Sequence, residues 1–439
     1  MPEQASMPAA IAEPAPVLGP VRAKERIEVI DILRGFALFG VILVNTWHFQ
    51  SESLLWRIGY AEVWTGTGDH IAVWFIIFFA AGRFFLLYSF LFGLGFALQL
   101  GRAEQRGAPF FSVYRRRLLV LLLFGLLHGM LRGTGDILHA YAVLGFFLLL
   151  FRKFSPRALL VIAVICLLSP WVRDAVRDRR HYDYLTAPQV SEQTLQERER
   201  NEATTITRRE EIVRVRREGT LGDNVAYNLQ TFANEYSSPN PLNYLGYVGD
   251  AFVMFLLGLY AGRRRIFENM HAHLPFIRKL LWWGLGLGLV GISVHLTLNL
   301  VLPDPPPLPY FAARVARLFR LVGAPAFSLF YASAIVLLVQ RETWKRRLAP
   351  LGAVGRMPLT NYLLHTLIHV GIFYGSVGLG LYAKISPAAT VGVTLLMYAS
   401  MILLSAWWMK RFRFGPAEWL WRTLTYGKLQ PMRVRQIAA

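Results

Sequence analysis

Three groups of polar residues interrupt long apolar runs, and their types and spacing can do chemistry. The first is His128-Gly-x-x-Arg132-Gly-x-Gly135-Asp136-x-x-His139-x-Tyr141, which sets two imidazoles, a carboxylate, a guanidinium and a phenol around a Gly-rich turn. A His beside a carboxylate is the usual means of orienting an imidazole as a general base near neutral pH. The second is Asn45 with His48, three residues apart and so on one face of the first apolar helix, near its far end. Asp69-His70 opens the second apolar run at the same level. For a lone interfacial His the plainer reading is capping in headgroup water. For the His128–Asp136 pair, capping and catalysis weigh equally.

The third group is Asn361, His365 and His369, repeating every four residues as one polar stripe down an apolar helix. His-x-x-x-His can hold a metal, but no acidic third ligand stands nearby, so no metal is expected. Hydrogen bonding between helices is the commoner use of such a stripe, and lining a substrate cavity comes next. Arg83 lies inside an apolar run, where a guanidinium needs a carboxylate, a phosphate or a water-filled space. Asp31-x-x-Arg34 sits at the mouth of the first helix, and Asn45 lies about 16 Å further along it at ~1.5 Å per residue. Asp31 and Arg34 read equally well as an interfacial ion pair that orients this helix. Arg314, Arg317 and Arg320 share a face, which suits either an anion or simple snorkelling.

The elements that position these groups are membrane helices. The 439 residues are 54% hydrophobic and 14% aromatic, with mean hydropathy +0.38. Apolar runs occur near 32–49, 70–100, 117–131, 137–151, 157–173, 244–262, 280–302, 321–340, 358–378 and 389–409. The fold class expected is all-α, a polytopic bundle of about ten transmembrane helices, with 70–100 long enough to be tilted or broken. The net charge of +20 is topological and does not signal nucleic acid. Of 47 Lys and Arg, 28 fall in the two tails and alternate connections, against 6 in the opposite short connections. By the positive-inside rule both termini are cytoplasmic.

The expected organisation is a disordered cytoplasmic tail over 1–25, a five-helix half over 26–173, an extracytoplasmic loop over 174–243, a second five-helix half over 244–425 and a tail over 426–439. The tail lacks the charged start and apolar core of a signal peptide. Glu197/Arg200 and Glu210/Arg214 spacings put a charged, solvated helix inside the loop. Pro303 to Pro309 is a stiff connection, and Trp407, Trp408, Trp419 and Trp421 suit an aromatic belt. The single Cys166 excludes a disulfide framework.

Five blocks, in order, resemble the YeiB-like bacterial membrane proteins. They are Asp31-x-x-Arg34-Gly35 with Asn45; Arg83-Phe84-x-x-Leu-Tyr-Ser89-Phe-Leu-Phe-Gly93; Gly125-Leu-Leu-His128-Gly with Gly135-Asp136-x-x-x-x-Tyr141; Gly355-Arg356-Met-x-Leu-Thr360-Asn361-Tyr362; and Gly415-Pro416-x-Glu418-Trp419-Leu-Trp421-Arg422. The chain departs from the pattern at His365, where a Gln is usual. The first helix is also similar to two groups of membrane acyltransferases, the heparan-alpha-glucosaminide N-acetyltransferase type and the acyltransferase-3 type. The resemblance implies a bacterial cytoplasmic (inner) membrane protein with acyl-CoA as co-substrate and a glycan, lipid or small-molecule acceptor on the far side. On that reading Asn45 holds the acyl carbonyl or acceptor. Neither catalytic His of those enzymes has an obvious match, so His48 or His128 would serve as base, with Asp136 orienting His128.

Asp31, Arg34 and Arg356 would then bind the donor, with Arg83, Tyr141, Asn361, His365 and His369 on the substrate path. Homodimerisation stays open. A small-solute transporter and a non-catalytic structural subunit are the rival readings, in which the same stripes line a path or join helices.

Overall fold

In a bilayer every backbone polar group must find its partner within the protein, which restricts a chain this apolar to helices or a closed barrel. The computed structural model describes residue 19 and residues 25–51, 64–133, 135–185, 192–236, 241–300 and 311–434. Most of the expected N-terminal tail, the Pro303–Pro309 connection and the last five residues lie outside the described residues. Among the described residues there is no β-strand, and the chain is an all-α membrane bundle.

The elements in order are α1 (Glu28–Ser51), α2 (Thr67–Phe75), α3 (Arg83–Gln105), α4 (Phe110–Arg132), α5 (Ile137–Leu148), α6 (Pro156–Leu185), α7 (Glu192–Glu218) and α8 (Leu221–Tyr236). They continue with α9 (Pro241–Arg263), α10 (Met270–Leu300), α11 (Phe311–Val339), α12 (Glu342–Arg356), α13 (Pro358–Phe373), α14 (Pro387–Arg411) and α15 (Pro416–Tyr426). Among the described residues five stretches are long and apolar enough to cross a membrane: those of α1, α2–α3, α10, α11 and α14. Large apolar side chains such as Trp282, Trp283, Leu396 and Leu403 are exposed, a surface suited to lipid rather than water.

The first helix lies at the centre. Of the α1 span 78% is buried, against 22% for α10, and Ile32, Leu33, Ala37, Leu38 and Ile42 have almost no exposed surface. Close approach to α12 makes this possible. A Cβ on Gly35 would stand 2.1 Å from the Leu351 carbonyl oxygen, and one on Gly355 1.8 Å from that of Asp31. Two family-like glycine positions therefore serve backbone contact. The Tyr398 hydroxyl of α14 donates to the Gly35 carbonyl at 2.6 Å and closes this side of the core.

The long 70–100 run is broken. A π-helical turn over Ile76–Ala80 is followed by Gly82 at φ 81°, and α3 restarts at Arg83. The 341–356 stretch, which falls between the expected apolar runs, is the helix α12, with Gly352, Val354 and Gly355 turned inward. Its high charge hid it, because only a narrow face is buried. Glu418 of α15 caps the next helix. Its carboxylate accepts from the Leu359 and Thr360 N–H groups at 2.6 and 3.1 Å and from the Thr360 hydroxyl at 2.6 Å. That satisfies amides which the α13 N-terminus leaves unpaired. Three of the four belt tryptophans donate to backbone carbonyls, Trp408 to Phe414, Trp419 to Gln430 and Trp421 to Arg117.

The 174–243 region supplies α7 and α8. A capping box starts α8: Asp223 accepts from Thr220 N–H at 2.8 Å while Thr220 Oγ1 accepts from Asp223 N–H at 3.2 Å. The Thr220 hydroxyl and N–H hold the exposed Asp223 carboxyl below its ordinary range.

Gly355→Ala is expected to force α12 off α1 and to destabilise the fold by ~1–3 kcal/mol, the usual cost of overpacking. Thermal unfolding in detergent reads this. The same change at Gly286, whose Cβ meets nothing within 4 Å, is the control and leaves the midpoint unchanged or raised.

Candidate functional site

Asp136 ends the turn after α4 and is the N-cap of α5, where its side chain accepts from the His139 N–H at 3.0 Å. Capping fixes the carboxylate in the space between α4, α5 and α13, fully buried. Three more donors reach it. His128 Nδ1 donates to Oδ1 at 2.7 Å, His139 Nδ1 to Oδ2 at 2.9 Å and the Tyr362 hydroxyl to Oδ1 at 3.3 Å. A carboxylate only accepts, so both imidazoles carry their proton on Nδ1. His128 Nε2 is then a free lone pair, and it faces the Thr366 hydroxyl at 2.8 Å. A Cβ on Gly125 would collide with the His139 backbone at 2.3 Å, so the α4–α5 hairpin that joins the two imidazoles needs a glycine there.

His365 and His369 of the α13 stripe face α1. His365 Nδ1 contacts the Tyr362 carbonyl and must donate to it, which leaves Nε2 to accept from Asn45 Nδ2 at 3.0 Å. The Asn45 carbonyl oxygen accepts from Arg132 Nη2 at 3.1 Å, so both ends of that amide are engaged. Arg132 also donates to the Gly135 carbonyl at 3.3 Å and lies 5.4 Å from the centre of the Phe49 ring. Thr46 donates to the Ile42 carbonyl at 2.8 Å, so His369 Nε2 donates to Thr46 Oγ1 at 2.9 Å. His369 Nδ1 is left buried with no described partner.

Helices α7 and α8 close over this network. Arg216 is buried and donates to Asn224 at 2.9 Å and Asn228 at 2.7 Å, with the Tyr374 ring centre 4.8 Å from its guanidinium. Asn228 donates to the Met130 and Leu131 carbonyls at 3.1 and 2.9 Å, and the Tyr374 hydroxyl to Leu131 at 3.0 Å. Arg217 donates to the Tyr382 and Ala383 carbonyls at 2.9 and 3.1 Å. Phe232 of α8 meets the His139 ring edge-on at 5.3 Å. Arg216, a buried cation on the charged helix, therefore helps to seat it on the bundle.

Asn45, His128, Arg132, Asp136, His139, His365 and His369 thus form one region, with His48 near Arg132, whereas Tyr141, Asn361 and Arg83 lie elsewhere. His48 is half-buried and makes no described hydrogen bond. Tyr141 accepts from or donates to Ser89 at 2.7 Å and donates to the Phe85 carbonyl at 3.0 Å, inside an aromatic cluster with Phe92 and Phe255. Asn361 donates to Ser405 at 3.0 Å and joins α13 to α14. Arg83 is buried at the α3 start, where it contacts the Ala81 carbonyl and its own carbonyl accepts from Ser328 at 2.7 Å.

At the opposite, basic end Asp31, Arg34 and Arg356 line a cavity of about 870 Å³. Nine arginines and five carboxylates line it. Asp31 pairs with both Arg26 and Arg34 at 3.0 Å, and Arg263 with Glu104 at 3.6 Å. Arg102 and Arg106 share Glu25, and Glu418 is committed to the α13 backbone. Among the described residues Arg117, Arg265, Arg356 and Arg422 find no carboxylate. Arg117 stacks on Trp421 at 4.0 Å, and Arg356 Nε is buried without a hydrogen-bond partner.

Sequence reasoning passed over Thr366, Tyr362 as a carboxylate donor, Thr46 and Arg216. Thr366 lies between the stripe residues His365 and His369, but a Thr on an apolar helix ordinarily bonds its own backbone. Arg216 reads like any other charge on a solvated helix. Among the described residues no group of His, Cys, Asp and Glu could hold a metal ion.

Asp136→Ala leaves three ring and hydroxyl donors unpaired and is expected to cost ~3–5 kcal/mol of stability. Tyr362→Phe removes one hydroxyl with its 3.3 Å bond to Asp136 and costs about 1 kcal/mol. Denaturant unfolding in micelles compares the two. Arg216→Met breaks the seat of α7 and α8. Amide exchange there should then accelerate while α1 and α13 remain protected; equal acceleration throughout would contradict a local role.

The family model "Protein of unknown function (DUF418)" matches residues 261–428, which holds the Glu418 cap, the Arg356 side of the cavity and the α13 stripe. "Uncharacterized protein YxaH" of Bacillus subtilis (strain 168) is 34% identical over 94% of this chain and 98% of its own. "Uncharacterized 39.9 kDa protein in amylase 3'region" of Bacillus acidopullulyticus is 28% identical, over 96% of this chain and 100% of its own. "Uncharacterized protein YeiB" of Escherichia coli (strain K12) is 25% identical, over 91% and 96%. No solved structure matches the chain. With full-length relatives on both sides of the cavity and the His–Asp network, the chain belongs to the YeiB-like DUF418 family of membrane proteins.

Proposed function

We propose that this protein is a membrane acyltransferase that takes an acyl group from coenzyme A, bound in the arginine-rich cavity, and passes it to a hydroxyl or amine at His128. The observation that supports this most is the uncompensated charge of the cavity. Among the described residues four of its nine arginines have no carboxylate, and a buried Arg356 Nε has no acceptor. Phosphates are the natural complement, because a guanidinium fork grips them bidentately. The volume lies in the ~300–1,000 Å³ range of small-molecule sites.

Donor and base lie on a common axis. Arg34 lines the cavity and Asn45 sits eleven residues further along α1, about 16 Å away at ~1.5 Å per residue. An extended pantetheine arm spans such a gap. His128 is the base on this reading, because Asp136 holds its proton on Nδ1 and directs the Nε2 lone pair outward from the pair. Asn45 orients His365 and is itself fixed by Arg132, a positioning role beside the reacting groups. The excess of basic residues in the connections around the cavity supports a cytoplasmic cavity in a bacterial inner-membrane protein, with α7–α8 on the far side. The acceptor would enter from that side and be a glycan, a lipid or a small molecule.

Coenzyme A should bind the detergent-purified protein saturably, and Arg34→Ala and Arg356→Ala should each weaken it ~10- to 100-fold, the loss of one charged hydrogen bond. Calorimetry reads the affinity, and a far-end variant such as Arg216→Met should leave it unchanged. Well-folded protein that binds neither coenzyme A nor its acyl thioesters would remove the reading and bring forward transport of a small solute.

A further inference from the structure

We propose that Thr366 is the acyl-accepting nucleophile of a Thr366–His128–Asp136 triad, so that transfer runs through an acyl-threonine ester. The proposal rests on the acyltransferase reading and adds a covalent step to it.

The hydroxyls of this protein's helices make the case. Thr46, Thr390 and Thr394 each donate to the carbonyl four residues back, at 2.8, 3.0 and 2.8 Å, as do Ser89 at 2.9 Å and Ser328 at 2.9 Å. That back-bond is the usual resting place of a helical hydroxyl away from water. Thr366 does not make it. The carbonyl four residues before it belongs to Tyr362 and is occupied by His365 Nδ1. The one described partner of Thr366 Oγ1 is His128 Nε2, at 2.8 Å.

Proton placement then follows from the partners. Asp136 takes the His128 Nδ1 proton at 2.7 Å, so Nε2 is bare and the Thr366 hydroxyl donates to it. Nucleophile, base and orienting carboxylate stand in hydrogen-bond series, which is the geometry that activates an alcohol. All three residues are buried, where the absence of water strengthens the His–Asp bond and protects an ester from hydrolysis. His139 and Tyr362 fill the remaining acceptor sites of Asp136 and keep it from turning.

The chemistry balances without a further reactant. Oγ1 attacks the thioester carbonyl while His128 Nε2 takes its proton. The C–S bond breaks, and the departing thiolate takes that proton from Nε2 and leaves as the thiol. The acceptor hydroxyl or amine then attacks the ester carbonyl and gives its proton to Nε2. The C–Oγ1 bond breaks, and Oγ1 recovers the proton.

The test needs no knowledge of the acceptor. Purified protein is incubated with acetyl-CoA or octanoyl-CoA, and two signals are read. One is an adduct of one acyl group on the peptide containing Thr366. The other is exchange of isotopically labelled coenzyme A into acyl-CoA, which an acyl-enzyme catalyses in the absence of acceptor. Wild type and Thr366→Ser should show exchange, and Thr366→Val and His128→Gln should lose it by about 10³-fold or more. Coenzyme A binding by calorimetry reports that each variant is folded, since the cavity lies at the other end of α1. Coenzyme A binding by wild type with neither adduct nor exchange, or exchange undiminished in Thr366→Val, would overturn the triad alone. Absence of coenzyme A binding by wild type would overturn the acyltransferase reading and the triad with it.

Discussion

A carboxylate sealed away from water must be surrounded by donors, and in this protein that demand falls on Asp136. An ion of this kind costs several kcal/mol to bury and persists only where every lone pair is met. Four donors meet it, from α4, α5 and α13. Satisfying Asp136 therefore fixes the α4–α5 hairpin, holds α13 against it, and sets the tautomers of His128 and His139. Once α13 is so placed, His365 and His369 have no choice but to face α1, where Asn45 and Thr46 receive them.

The remainder of the bundle serves two ends of that arrangement. At one end Glu418 caps α13 and holds its start beside Arg356 and the basic cavity. At the other, Arg216 seats α7 and α8 above the imidazoles through two asparagines and a tyrosine face. A buried guanidinium held by neutral amides and a ring, with no carboxylate among its described partners, makes the seat dependent on complete hydrogen bonding. Between the ends runs α1, which is nearly enclosed and packed to backbone contact through Gly35 and Gly355. A central, tightly gripped helix suits a protein that must keep two sites at constant separation.

Several family-like motif residues turn out to be packing and capping devices. Gly35, Gly125 and Gly355 allow helix backbones to touch, Glu418 ends a helix, and Asn361 joins α13 to α14 through Ser405. The residues poised for chemistry are fewer. On the proposed reading they are the His128–Asp136 pair with the hydroxyl it faces, and the cavity arginines that have no carboxylate among the described residues. Arg83, read from sequence as a member of the substrate path, lies at the break between α2 and α3, where its guanidinium contacts the Ala81 carbonyl and its own carbonyl accepts from Ser328.

Taken alone, the sequence determined that the chain is helical and membrane-bound, because hydropathy and residue spacing are local properties that a bilayer reads directly. It also exposed the Asp136–His128 pair and the Asn361–His365–His369 stripe, since eight residues across a Gly-rich turn and repeats of four are short-range geometry. Only the tertiary structure decided what those groups face. His128 meets Thr366 across 238 positions, and Asn45 meets His365 across 320. The helix α12 and the buried Arg216 were hidden for a related reason: a charged segment with one inward face is chemically indistinguishable, in sequence, from one that is wholly solvated. Which of its charges is buried depends on what packs against it, and that is settled by contacts between distant helices.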